Sequence, residues 1–168
     1  MPAISANGGS ASGGKEVNFE RVYDAPIEKV WKAWTDPGEL KQWWGPDNVI
    51  IPECEVDLKV GGRFYIVMEA GEAMGPYKGA RWPMDAKFTE VEPMSKLVYA
   101  AKAWTEGDAE ATLIDQVTEI TFIKEGDKTK LTIKAAINST GPKAGMAVEG
   151  MQMGFTQQLD KLAKFLAQ

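Results

Sequence analysis

Between Val17 and Tyr23 the side chains alternate, with Val17, Phe19 and Arg21 on one side and Asn18, Glu20 and Val22 on the other, and this period of two predicts a first strand. The pattern then changes. Asp24-Ala25-Pro26 sets an acidic side chain near an N-cap and a proline at the first helical position, and Ile27, Val30, Trp31 and Trp34 recur at helical spacing. Asp36-Pro37-Gly38-Glu39 repeats the signal, with Asp36 placed to cap and Glu39 placed to reach back as in a capping box. A second short helix carrying Leu40, Trp43 and Trp44 follows.

From Val49 the period returns to two, with Cys54, Val56, Leu58 and Val60 on one face and Glu53, Glu55, Asp57 and Lys59 on the other. Gly61-Gly62 predicts a turn into a strand from Arg63 to Glu69, where Phe64, Ile66 and Met68 share a face. Gly71, Gly75, Pro76 and Gly79 predict a loop, and strands follow over Met84 to Val91 and Lys96 to Trp104. An acidic connection, Thr105 to Ala111, leads to the clearest hairpin, Asp115 to Lys124 and Thr129 to Ile137, turning at Glu125-Gly126-Asp127. Asn138-Ser139-Thr140 reads as a turn. After Gly141 to Gly145 the chain ends in one long amphipathic helix, with Val148, Met151, Phe155, Leu159, Leu162 and Leu166 on a stripe.

Strands joined by turns pair as antiparallel neighbours, and the one long helix must bury its stripe against them. The expected fold is therefore α+β: a curved antiparallel sheet of about six or seven strands around the C-terminal helix, two short helices after the first strand, and an apolar cavity between sheet and helix. Residues 1–14, rich in Gly, Ser, Ala and Asn, offer nothing to bury and read as a flexible tail, leaving 15–168 as a single domain.

Composition narrows the chemistry. A net charge of −5 argues against a nucleic-acid partner, and no apolar run is long enough for a transmembrane segment. No secretory signal opens the chain and the one cysteine, Cys54, has no internal partner, so a cytoplasmic protein is expected. Histidine is absent altogether, which removes the commonest general base and zinc ligand and any Ser-His or Cys-His pair. No catalytic constellation remains to argue for an enzyme, and neither a metal nor a cofactor is expected. Glu53, Glu55 and Asp57 read as a solvated strand face, and Cys54 as packing rather than a nucleophile.

The six Trp, six Phe and four Tyr either fill a core or line a pocket for a small hydrophobic molecule. The cavity candidates are Trp43, Trp44, Phe64, Met68, Phe88, Tyr99, Met151 and Phe155, with Met151 and Phe155 facing the sheet and one of the paired tryptophans near a mouth. Arg63, Tyr65, Arg81 and Glu55 are the polar groups nearest in the chain that could orient a ligand. Gly150 and Gly154 interrupt the last helix, either for close backbone approach or to leave room for a ligand.

Four strings carry a resemblance: Asp24-Ala25-Pro26 with Val30-Trp31-Lys32-Ala33-Trp34-Thr35-Asp36-Pro37; Trp43-Trp44-Gly45-Pro46; Cys54-Glu55-Val56-Asp57-Leu58-Lys59-Val60-Gly61-Gly62; and Gly154-Phe155-Thr156-Gln157-Gln158-Leu159-Asp160-Lys161-Leu162-Ala163. In this order they resemble the family similar to the activator of the ninety-kilodalton heat-shock protein ATPase, within the START-like (SRPBCC, helix-grip) superfamily. The resemblance implies the helix-grip fold and a choice of functions: binding of lipids or other hydrophobic ligands, stimulation of a chaperone ATPase through protein contact, or cyclase or isomerase chemistry in the cavity. It transfers no catalytic set. Lys59 and Lys161 stand where relatives often carry arginine, which keeps the charge and loses the bidentate fork.

Overall fold

The computed structural model describes residues 15–104, 106, 113–140 and 144–167, with the side chains of 15, 113, 139, 140 and 144–152 not described. The predicted tail 1–14 and the acidic connection, Glu106 apart, lie outside the described residues. Among the described residues there are seven strands: β1 (Lys15–Tyr23), β2 (Val49–Val56), β3 (Arg63–Ala70), β4 (Arg81–Glu92), β5 (Lys96–Ala103), β6 (Leu113–Glu125) and β7 (Lys128–Thr140). Helices α1 (Ile27–Thr35) and α2 (Pro37–Trp43) follow β1, and α3 (Ala144–Leu166) closes the chain. The strands form one antiparallel sheet in the order β1-β7-β6-β5-β4-β3-β2. Because β1 and β2 are the two edges, α1 and α2 must cross from one edge to the other, and they close one end of the curled sheet.

The helix α3 lies in the sheet's hollow, burying Phe155, Leu159, Leu162 and Leu166. Fully burying a side chain of this kind contributes roughly 1.5–3 kcal/mol, so the stripe alone holds the helix in place. Polar ties fix its register. Tyr23 Oη donates to the Leu159 carbonyl at 3.1 Å, Lys29 Nζ donates to the Leu166 carbonyl at 2.6 Å, and Arg21 pairs with Asp160 at 2.7 Å. The lysine also sets a positive charge against the negative end of the helix dipole.

Several local expectations are corrected. Pro26 itself occupies the cap position of α1, without a side-chain cap bond, so Asp24 does not cap. Asp36 does accept from the Gly38 N–H at 2.9 Å, but Glu39 does not close a box: the Asp36 N–H already donates to the Lys32 carbonyl, and Glu39 pairs with Lys32 instead. Strand β2 ends at Val56, leaving Leu58 and Val60 exposed in the turn. A Cβ on Gly62 would collide with the Asp57 carbonyl, so that turn requires glycine. Part of the Gly71 to Gly79 loop winds into a 3₁₀ turn, Glu72–Tyr77, and Asn138-Ser139-Thr140 continues β7 rather than turning.

Candidate functional site

Five aromatic candidates come together, but ring against ring. Trp43 is fully buried and its Nε1 donates to the Ala33 carbonyl at 3.0 Å. Its ring meets Trp34 at 4.8 Å and Trp44 at 5.6 Å, Trp44 meets Phe64 at 5.6 Å, and Phe64 stacks on Phe88 at 5.6 Å and meets Tyr99 at 5.2 Å. The paired tryptophans are thus part of the packed core where α1 and α2 close the hollow. Met68 is half-buried beneath Gly45, and Phe155 is buried with its ring 5.3 Å from Phe19. The side chain of Met151 lies outside the described residues.

Helix α3 fastens the loop that carries Trp44. Gly45, at φ 85°, donates its N–H to Gln158 Oε1 at 2.8 Å, and Asp47 donates to Gln157 Oε1 at 3.0 Å. Lys161 Nζ donates to the carbonyls of Trp44, Gly45 and Pro46 at 3.2, 3.2 and 3.3 Å. Burial holds the Lys161 ammonium below the ordinary lysine pKa, against a smaller opposing pull from Asp47. This lysine is therefore committed to the loop rather than to a ligand carboxylate. The Gln158 amide nitrogen is buried and has no hydrogen-bond partner.

The four polar candidates stand on the other face of the sheet. Arg63 and Tyr65 flank Phe64 in β3, so by strand parity they point away from it. Arg63 forms a bidentate pair with Asp85, both bonds 3.0 Å, approaches Glu55 at 3.7 Å and covers the Tyr65 ring at 4.1 Å. Arg81 pairs with Glu69 at 2.9 Å and Glu53 at 3.5 Å. Closeness in the chain does not carry them into the hollow, because strand parity turns them to the outer face.

What the hollow does contain is a polar string that the sequence reading missed. In β6 the inward positions are Ile114, Gln116, Thr118, Ile120 and Phe122, all buried. Thr118 Oγ1 donates to Gln116 Oε1 at 3.1 Å, and Gln116 Nε2 donates to the Met84 sulfur at 3.7 Å. Burial raises the Tyr99 pKa well above the usual phenol, so the ring stays neutral. The signal was available: two polar residues at buried parity inside an apolar alternation.

Space lies at the β1 end. Val17, Asn18 and Phe19 of β1 and Met153, Thr156 and Gln157 of α3 line a groove of about 680 Å³, open to solvent. Nearby, a Cβ added to Gly154 would meet only Pro46 Cδ, at 4.0 Å, which is ordinary contact. Close backbone approach therefore does not explain this glycine. Cys54 is half-buried, and desolvation pushes its thiol up to about 11, which disfavours the nucleophilic thiolate. Among the described residues no group of His, Cys, Asp and Glu is gathered as metal ligands, and no helix is long and apolar enough to cross a membrane.

Solved structures share this architecture. A Chromobacterium violaceum protein is 24% identical, with 90% of this chain and 97% of that one covered at a TM-score of 0.71. An uncharacterized Rhizobium leguminosarum protein is 21% identical over 92% and 95% of the two chains at 0.72. The AHSA1 protein of Silicibacter pomeroyi is 23% identical over 91% and 98% at 0.69. At such identities the likeness shows the fold alone, and no curated relative matches. The family model described as Activator of Hsp90 ATPase homolog 1-like protein matches residues 24–167, from the Asp24-Ala25-Pro26 string through the end of α3. With the helix-grip architecture in place and nearly the whole folded chain matched, the protein belongs to the Activator of Hsp90 ATPase homolog 1-like family.

Proposed function

We propose that this chain binds a small hydrophobic molecule between the sheet and α3, in the cytoplasm and with no cofactor. The groove between β1 and α3 carries the reading, since its volume of about 680 Å³ falls within the roughly 300–1,000 Å³ of small-molecule pockets. Behind it, Phe19 and Phe155 offer apolar ring surface, and the inward face of the sheet is apolar with few polar groups. Such walls suit a ligand held by burial of its own apolar area. Native mass spectrometry of freshly purified protein tests this. A bound mass released on denaturation is expected; a bare chain that also fails to enhance Nile red fluorescence would remove the reading.

A second reading, a module that stimulates a chaperone ATPase through protein contact, has the family's description in its favour. Exposed apolar side chains away from the groove, Val60 and Tyr77, could serve such a contact. Stimulation of a purified chaperone's ATP hydrolysis that is lost in the double variant Val60→Ser/Tyr77→Ser would favour it over ligand binding.

A further inference from the structure

Among the described residues two buried side-chain nitrogens have no hydrogen-bond partner, Trp34 Nε1 and Gln158 Nε2. The Trp34 ring is packed against Trp43 and Trp44, with centroids 4.8 and 5.9 Å away, and belongs to the core. Gln158 stands elsewhere. It is 5% exposed, and its Oε1 accepts from the Gly45 N–H at 2.8 Å. That bond fixes which way the amide faces, because a flipped amide would set its NH₂ against the Gly45 N–H. The Nε2 hydrogens are therefore held in place without an acceptor, and a buried donor left so costs roughly 1–3 kcal/mol.

Beside this amide the helix surface is notched. In α3 Gly154 sits one turn before Gln158, and helical side chains lean toward the N-terminus, so the Gln158 amide leans over the turn that holds the glycine. Apart from the glycine's chain neighbours and the helix's own backbone, only Pro46 Cδ among the described residues comes within 4 Å of where a Cβ would stand, at 4.0 Å. Gln158 thus borders the notch without filling it, and Gly154 is itself partly exposed, so the notch is not sealed. On a helix the residues three and four places on are a residue's surface neighbours, which for Gly154 are Gln157 and Gln158. Gln157 lines the groove between β1 and α3, so the notch stands between that groove and the unpartnered amide.

We infer that the molecule held between β1 and α3 carries a hydrogen-bond-accepting oxygen of the carbonyl class, which enters the notch at Gly154 and accepts from Gln158 Nε2. This rests on the binding reading above and deepens it. A carbonyl oxygen fits better than a hydroxyl, because it meets the donor without bringing a hydrogen of its own that would need a further acceptor. The glycine gains a reason as well: it costs the helix up to ~1 kcal/mol relative to alanine, and a larger side chain would fill the space that the oxygen uses.

The test compares acetophenone with ethylbenzene, two probes of nearly one shape of which only the first has an acceptor oxygen. In isotope-labelled wild type, with the Gln158 side-chain NH₂ assigned by through-bond correlation to its own chain, acetophenone is expected to move that signal downfield and ethylbenzene to leave it nearly in place. In Nile red displacement, Gln158→Met should weaken acetophenone by roughly threefold to tenfold, as one hydrogen bond predicts, while ethylbenzene stays within about twofold. That ratio also discounts any shift of the loop that loses its Gly45 tie, since both probes would feel it alike. A Gln158 signal that acetophenone leaves in place, as a resident water on Nε2 would, or equal effects for the two probes, would overturn the inference while leaving the binding reading intact. Failure of Nile red to bind at all would instead remove the binding reading and this inference with it. Should Gln158→Met not fold, the wild-type amide signal still decides.

Discussion

The two faces of one sheet solve opposite problems. Inside, the side chains are neutral, and Thr118 donates to Gln116, which in turn donates to the Met84 sulfur. Outside, Arg63 and Arg81 are each shared among carboxylates at partly exposed positions. Water screens the outer pairs, so they contribute little to stability and can be rearranged cheaply. The inner face has no such freedom, because each buried group must find a partner in the protein or in a ligand. Specificity should therefore be written on the inside, in hydrogen bonds rather than in charge.

The largest expected difference between the faces is in their response to truncation. Trp43→Ala removes a fully buried ring that packs on Trp34 and Trp44 and should cost about 3–5 kcal/mol in urea unfolding. A loss below about 1 kcal/mol would mean that the paired tryptophans are not core, and would return them to the list of pocket residues.

Alkaline titration should separate the faces next. The folded pKa values of Cys54, Tyr23 and Tyr99 are raised by burial above their ordinary values of 9.0, 10.0 and 10.0. An acid with a raised folded pKa contributes stability that is complete below its unfolded pKa and is lost as pH rises through the folded one. The urea midpoint should hold level up to about pH 9 and then fall, first as the Cys54 window from 9.0 to about 11 is crossed and then through the phenols. A midpoint unchanged through pH 11 would show that these groups are as open to solvent as the outer face.

Smaller effects sharpen the picture. Gly154→Ala should stabilise the protein by up to ~1 kcal/mol, since the helix gains propensity and the new methyl meets only Pro46 Cδ at 4.0 Å. Destabilisation in thermal unfolding would restore close packing as the reason for that glycine. Smallest of all, Arg63→Gln should cost no more than ~1 kcal/mol, because its partners Asp85 and Glu55 are themselves exposed. A loss of several kcal/mol would show the outer ion pairs to be structural.

The element order was legible because period-two runs, glycine turns and the stripe Phe155, Leu159, Leu162 and Leu166 each agree with one fold, and the structure bears out the strand–helix–helix–strands–helix sequence. What failed failed for local reasons. Leu58 and Val60 keep the alternation of β2 but fall in a turn, because alternation does not say where hydrogen bonding stops. The polar candidates around Arg63 are near Phe64 in the chain but not in space, since a strand turns neighbours to opposite faces. The groove joins Val17 and Phe19 to Met153 and Thr156 across more than a hundred residues, a pairing that no local pattern encodes.

The account's central claim is that a small apolar molecule sits between β1 and α3. Backbone amide shifts of isotope-labelled protein titrated with Nile red test it most directly. The account predicts saturable shifts at Val17, Asn18, Phe19, Met153, Thr156 and Gln157 with little change at Arg63, Arg81 and Asp85. Shifts confined to the outer face, or none at saturation, would contradict it.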